Sequence, residues 1–149
     1  MVLKMKSKLL LIFILLISNL IAQGSKAKWV PVDIEGQDKV YVDIAGIENF
    51  SGEDIYVWTL TEHSIPIVIE SISEKIYKTN TYYLLNTRLN KYSLLYIIYY
   101  DFSGNVLESF DYGRNTKVEI YQYNYPIWKA STEEKILNIC LKYINKEKD

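Results

Sequence analysis

Residues 78–110 read KTNTYYLLNTRLNKYSLLYIIYYDFSGNVLESF, and this stretch decides the fold. It is the densest run of Tyr, Leu and Ile after the N-terminal segment, and turn-forming residues interrupt it twice. Such a pattern predicts three consecutive antiparallel strands. Residues 92–100 are apolar on both faces, which is typical of a central strand that is covered on each side. The segment 101–105 contains Gly104, where a positive φ costs little, so we expect a hairpin turn there.

The same stretch predicts which residues share a face of the sheet. Successive strand side chains point to opposite sides. Strict alternation through 92–100 therefore groups Leu94 with Tyr96 on one face, and it places Tyr82 and Tyr99 together on the other. Both faces carry aromatic rings under this interpretation.

Further strand patterns, rich in β-branched and aromatic residues, lie outside this core at 29–34, 39–43, 55–61 and 118–121. The first two predict a hairpin, and Pro31 marks its first strand as an edge strand, where a missing N–H costs little. Residues 71–78 fit either a strand or a helix, and we favour a strand that enters the core stretch. Residues 63–70 contain Pro66 and predict an insertion or an edge segment.

The C-terminus changes period and predicts a helix. Ser131 and Glu134 have the spacing of a capping box, in which each side chain satisfies a free amide at the helix start. Apolar residues follow on one stripe, at Ile136, Ile139, Cys140, Tyr143 and Ile144. The fold class is thus α+β, mainly β: a single antiparallel sheet of about six strands with a C-terminal amphipathic helix, after an N-terminal signal peptide.

Residues 1–22 have the order of a secretory leader: three lysines, an apolar run at 9–17, then small and polar residues. Cleavage after Ala22 or Gly24 would leave 25–149 as a single domain. The apolar run is shorter than the roughly 20 residues that span a bilayer, so we expect no stable membrane span. No Cys follows the run for lipid attachment. The prediction is export to the periplasm, the cell surface or the medium without a lipid anchor.

The charged residues argue against several functions. Removal of Lys4, Lys6 and Lys8 with the leader changes the formal net charge from −1 to −4, which disfavours nucleic acid as a partner. His63 is the single histidine, so a multi-histidine metal site is excluded. Glu62, His63 and Ser64 are adjacent, and neighbours on a strand cannot relay a proton among themselves. We therefore expect an exposed loop histidine, no cofactor and no catalytic site.

The aromatic residues point instead to binding. Fourteen Tyr against four Phe suit a thin sheet, and Tyr is also common at binding surfaces. The candidate protein-binding residues are Tyr82, Tyr99 and Tyr121. The alternative hypothesis is that the same residues form the wall of a small-ligand pocket. Cys140 has no partner within the chain, and its place on the apolar helix stripe predicts a buried thiol.

Several short motifs resemble the bacterial surface-adhesin protein E family. They are Trp29, Tyr41–Ile44, Val57–Leu60, Tyr99–Tyr100, Gly104–Val106 and the ending Pro126–Cys140. The resemblance covers nearly all of the chain after the leader. It implies a small antiparallel sheet with a C-terminal helix, export to the bacterial envelope, homodimer formation and binding to host matrix or serum proteins.

The chain departs from that family in two places. Members typically pair a Cys in the central strand with one near the C-terminus, whereas here Asn86 stands at the first position and Cys140 at the second. The Cys for lipid attachment is missing as well. The leading hypothesis is a non-enzymatic, adhesin-like protein-binding module. The alternatives are a periplasmic structural or interaction protein with a bacterial partner, and a small-ligand binding protein or enzyme with a closed pocket near Glu62 and His63.

Overall fold

The structure, a computed structural model, describes residues 26–47, 50, 52–113 and 124–145. One antiparallel sheet and one helix make up this part of the chain. The elements are β1 (Trp29–Val32), β2 (Lys39–Asp43), β3 (Asp54–Ile69), β4 (Ile72–Asn86), β5 (Lys91–Tyr100), β6 (Val106–Asp111), β7 (Tyr125–Pro126) and the helix α1 (Thr132–Asn145).

The sheet is an open meander in the order β1-β2-β3-β4-β5-β6, and the short β7 pairs with the end of β5 that β6 leaves free. The predicted mainly β fold with a C-terminal helix is confirmed. The central position of residues 92–100 is also confirmed, because β5 has neighbours on both sides. The leader and the strand predicted at 118–121 lie outside the described residues.

β3 and β4 are much longer than their neighbours. The last residues of β2 and β5 that pair with them stand opposite Glu62 and Lys78, so residues 63–77 project beyond the sheet as a two-stranded ribbon. The segment 63–70, predicted as an insertion or an edge segment, continues β3 into this ribbon. Pro66 is tolerated because it lies in a register shift, where no ladder bond depends on its missing N–H.

A β-bulge on β5 decides which residues share a face. Tyr83 stands opposite Leu94 and Tyr82 opposite Tyr96, which leaves Leu95 as an extra residue on β5. Because the extra residue inverts the alternation, Leu94 and Tyr96 lie on opposite faces. The predicted grouping of these two residues is therefore wrong.

The helix α1 covers one face of the sheet, which we call the helix-covered face. Its core consists of buried aliphatic side chains from β2, β3 and β4, such as Val42, Ile55 and Leu85, packed against Ile136 and Cys140 of α1. The other members of this core are Val32, Val40, Ile44, Ile47, Val57, Ile127, Leu137 and Ile144.

The predicted capping residues begin the helix. The Oγ of Ser131 accepts a hydrogen bond from the amide of Glu134 at 3.2 Å, and a carboxylate oxygen of Glu134 accepts one from the amide of Ala130 at 2.6 Å. One amide donor of the first helical turn and the amide of Ala130, which precedes the cap, are thereby bonded.

Cys140 is a free thiol with no exposed surface, as predicted. Burial raises the pKa of Cys140 to about 12. Asn86, at the position that the family resemblance gives to a partner cysteine, is on the other side of the sheet: its neighbour Leu85 packs in the core with Cys140, and Asn86 pairs with Asp54 on the opposite face. A cysteine at position 86 could not reach Cys140 in this fold.

Within the described ranges, no helix has the length and apolar content needed to cross a membrane.

Candidate functional site

The face of the sheet opposite α1 carries a cluster of aromatic rings, and we call it the aromatic face. It is defined by Tyr56 and Trp58 of β3, Tyr82 of β4 and Tyr96 of β5. The strand register brings these residues together, since Trp58 stands opposite Tyr82 and Tyr82 opposite Tyr96. Residues that are directly opposite in an antiparallel pair share a face and contact each other.

The rings form one continuous contact chain. Trp58 stacks on Tyr82 with ring centroids 4.8 Å apart, and it meets the edge of Tyr96 at 6.1 Å. Tyr56 extends the cluster on the other side, 6.2 Å from Tyr82. Desolvation by burial raises the pKa of the Tyr82 hydroxyl, and Tyr56 adds to this shift. Stacked and edge-on pairs of this kind stabilise each other and keep the rings in fixed positions.

This cluster is only partly buried. Tyr56 is half exposed, and Trp58, Tyr82 and Tyr96 are of intermediate exposure. All members of the core that contains α1 lie on the opposite face. A set of rigid, partly wet aromatic rings on one face is the composition of a protein-binding surface.

The three predicted binding residues do not form one site. Tyr82 lies at the centre of the aromatic face. Tyr99 lies on the helix-covered face, where its ring contacts Phe110 at 6.0 Å, so the prediction that it shares a face with Tyr82 is wrong. Tyr121 lies outside the described residues. Tyr99 differs from Tyr82 in its face because of the bulge at Leu95, which alternation alone does not reveal.

The sequence analysis missed Tyr56, Trp58 and Tyr96 as site residues. The strand at 55–61 was recognised, and its alternation does place Tyr56 and Trp58 on one face. Their convergence with Tyr82 depends on the register between strands, which the sequence pattern does not specify. The register between the strands therefore determines which residues form the site.

The edges of the sheet are poorly suited to pairing with a strand from another protein. β1 is short and contains Pro31, and β6 is bulged at Leu107 and carries Glu108 and Asp111. The ribbon is irregular on both strands, because four residues of β3 stand against one of β4 and then three of β4 against one of β3. Bulges, charges and proline are the usual protections of sheet edges. Faces rather than edges are thus the available binding surfaces in the described sheet.

A cleft of about 200 Å³ opens at one end of the aromatic face. Its lining joins Tyr56 of the aromatic face to Ile47 and Ile55 of the core, so the cleft lies at the end of the sheet and borders the ring cluster at Tyr56. Asp43 is its one acidic lining residue. One oxygen of that carboxylate, Oδ1, accepts hydrogen bonds from the amide of Lys28 at 2.7 Å and the amide of Ala45 at 3.0 Å, which fix its position.

His63 is not an exposed loop residue, contrary to the prediction. It lies in β3 with 10% of its side chain exposed, and both ring nitrogens have partners. Nδ1 is 3.0 Å from Oδ2 of Asp38 in the β1–β2 turn, and Nε2 is 2.9 Å from Oγ1 of Thr79 on β4. The network joins residues that are distant in the chain, and the sequence analysis did not consider Asp38 or Thr79.

The geometry of this network points to a structural role. An acid, an imidazole and a hydroxyl stand in line, as they do in nucleophilic hydrolases. Thr79, however, is 91% buried, so its hydroxyl has little access to a substrate. Hydrogen bonds to Asp38 from Ser64 and His63 lower the pKa of the Asp38 carboxyl. The network therefore fixes the β1–β2 turn onto β3.

Comparisons with models of protein families, with curated proteins and with solved structures gave no match for this chain. The resemblance to the protein E family stays a prediction. No group of three or more His, Cys, Asp or Glu residues that could hold a metal ion occurs in the described segments.

Proposed function

We propose that the protein is an exported, non-enzymatic binding module that recognises a protein partner through its aromatic face. The single observation that carries this proposal is the cluster of Tyr56, Trp58, Tyr82 and Tyr96, whose rings contact one another, are partly exposed and lie on the side of the sheet away from α1. Trp and Tyr dominate the energetics of protein interfaces because they bury a large area with little loss of conformational freedom.

The destination and the partner class come from the sequence. The N-terminal segment has the pattern of a secretory leader, which supports export. The resemblance to the surface-adhesin protein E family supports a host matrix or serum protein as the partner. A partner within the bacterial envelope would use the same aromatic face, and the experiment below distinguishes the two by which protein is bound.

The test compares two single substitutions of the same residue type on opposite faces. Tyr82→Ala removes the central ring of the aromatic face, and Tyr99→Ala is the matched control on the helix-covered face. Purified protein is titrated onto immobilised laminin, fibronectin and vitronectin, and in parallel onto detergent-solubilised bacterial envelope. Truncation of a central aromatic residue at an interface typically weakens binding by 2 kcal/mol or more, or about thirtyfold.

We expect saturable binding that Tyr82→Ala weakens by about thirtyfold and that Tyr99→Ala leaves within threefold. Circular dichroism and urea unfolding check that both variants are folded. Binding that is lost equally in the two variants, or no saturable binding in either assay, would contradict the proposal.

A further inference from the structure

We infer that the partner segment is basic and that an arginine or lysine side chain of this segment enters the cleft between Asp43 and Tyr56. This inference rests on the proposed function, because it names the chemistry of the partner that the aromatic face binds. The occupant is an extended polypeptide with one cationic side chain, flanked by apolar residues that lie on the ring cluster.

The cleft has the shape and position for this role. It encloses about 200 Å³ between the end of β2, the turn that follows it and the start of β3. Tyr56, half exposed, forms its border with the aromatic face, and its ring is 6.2 Å from that of Tyr82. A side chain in the cleft therefore belongs to a segment that also covers Trp58 and Tyr82.

The chemistry of the lining selects a cation. Oδ1 of Asp43 accepts two amide hydrogen bonds, whereas no donor from the described residues bonds to Oδ2. Asp43 also forms none of the ion pairs between described residues. A guanidinium or ammonium group would supply a charge-assisted hydrogen bond to Oδ2 and lie against the Tyr56 ring. An anionic or purely apolar side chain would leave that oxygen desolvated and unpaired.

The surrounding charge favours the same partner. Asp54 precedes Tyr56 by two residues on the aromatic face, and Asp111 stands opposite Tyr96. The nearby cations have acidic partners of their own: Lys78 pairs with Glu62 at 3.3 Å, and Arg88 pairs with Glu53 at 2.6 Å. The excess of acidic residues after the leader, with a formal charge of −4, attracts a basic segment from a distance.

The test uses two synthetic peptides that differ in one charge. Acetyl-Leu-Gly-Arg-Gly-Leu-amide, in which both leucines share the side of the arginine when the chain is extended, is compared with the peptide in which uncharged, isosteric citrulline replaces arginine. Binding to the purified ¹⁵N-labelled protein is followed by the amide shifts of Ala45 and Gly46, which line the cleft. We expect the arginine peptide to shift both amides saturably and the citrulline peptide to bind at least tenfold more weakly.

Two variants that each remove one negative charge complete the design. Asp43→Asn keeps an oxygen for the amides of Lys28 and Ala45 while removing the charge, and Glu108→Gln removes one charge from the helix-covered face. We expect Asp43→Asn to weaken the arginine peptide at least tenfold and Glu108→Gln to leave its affinity within twofold. Equal affinities of the two peptides, or no effect of Asp43→Asn, would overturn the inference.

The outcome separates this inference from the proposed function. Suppose that neither peptide binds, or that both bind equally, while protein binding still depends on Tyr82. The aromatic face then recognises its partner by features other than charge. That result overturns the basic-partner inference and leaves the proposed function standing. Loss of the dependence on Tyr82 contradicts the proposed function itself.

Discussion

Trp58 and Tyr82 stack with ring centroids 4.8 Å apart and an interplanar angle of 24°, directly opposite each other on β3 and β4. The pair is at the centre of the aromatic face, because Trp58 also contacts Tyr96 and Tyr82 also contacts Tyr56. The aromatic face therefore contributes to the stability of the sheet on which it lies. Binding and folding can be separated experimentally only if this coupling is measured.

We expect a coupling energy of about 0.5–1.5 kcal/mol between Trp58 and Tyr82. Trp58→Leu, Tyr82→Leu and the double variant are unfolded in urea to complete a double-mutant cycle. The control cycle joins Trp58→Leu with Tyr99→Leu, whose side chains are on opposite faces, and it should be additive within about 0.5 kcal/mol. Equal coupling energies in the two cycles would show that the stacked contact between Trp58 and Tyr82 is not the source of the coupling.

Whether the sequence predicts a structural feature depends on how far apart in the chain the residues that form it lie. The helix start at Ser131 and Glu134 is local, and so is the burial of Cys140, so period and capping chemistry were enough to predict them. The pattern at 71–78 fitted either a strand or a helix, and the favoured strand is confirmed as the start of β4. These features depend on residues close together in the chain.

The candidate site was predicted only in part, because it depends on register. Tyr82 was identified, but a single extra residue at Leu95 moves Tyr96 to its side of the sheet and leaves Tyr99 on the other. His63 was misplaced for a related reason: its partners Asp38 and Thr79 come from other elements, and nothing near His63 in the sequence indicates them. Alternation predicts which face of the sheet a side chain lies on only as far as the next β-bulge.

The helix is the main apolar support of the sheet, and one matched pair of substitutions tests this. Ile136 is 1% exposed in the core, whereas Ile65 on the ribbon is 71% exposed. Ile136→Ala should lower the free energy of unfolding by about 2–5 kcal/mol, because it removes buried methyl groups and leaves a cavity. Ile65→Ala should change it by no more than about 0.5 kcal/mol. Urea unfolding measures both, and similar effects would contradict the described core.

Cys140 should be chemically silent in the folded protein. Its thiol has no exposed surface, and burial raises its pKa to about 12, so the reactive thiolate is scarce at pH 8. Ellman's reagent should label the native protein at least a hundredfold more slowly than the urea-unfolded chain. Fast labelling before unfolding would show that α1 opens readily. Cys140→Ser should destabilise the fold, because it places a hydroxyl in an apolar core.

The Ser131 cap predicts a smaller loss of stability. Ser131→Ala removes the acceptor for the amide of Glu134, and such substitutions cost about 0.5–2 kcal/mol. Ser131→Asp keeps an acceptor and adds a negative charge at the helix start, so stability should be retained. Thermal or urea unfolding of the two variants gives the comparison. An equal loss in Ser131→Asp would mean that the side-chain bond is not what begins the helix.

The hydrogen bonds that lower the pKa of Asp38 give the protein an acid-sensitive contact. Because the folded-state pKa is below the ordinary value of about 3.9, the unfolded chain takes up the proton first as the pH falls. The stabilisation is fully present above about pH 4 and is lost as the pH falls through the lowered pKa. Asp38→Asn cannot carry the charge that Ser64 and His63 stabilise, so we expect it to be less stable than wild type at pH 6 and to approach wild type at pH 2.5. Urea unfolding at both values tests this, with Asp33→Asn in the same turn as control; a constant difference between wild type and Asp38→Asn at the two pH values would rule out the charged contact.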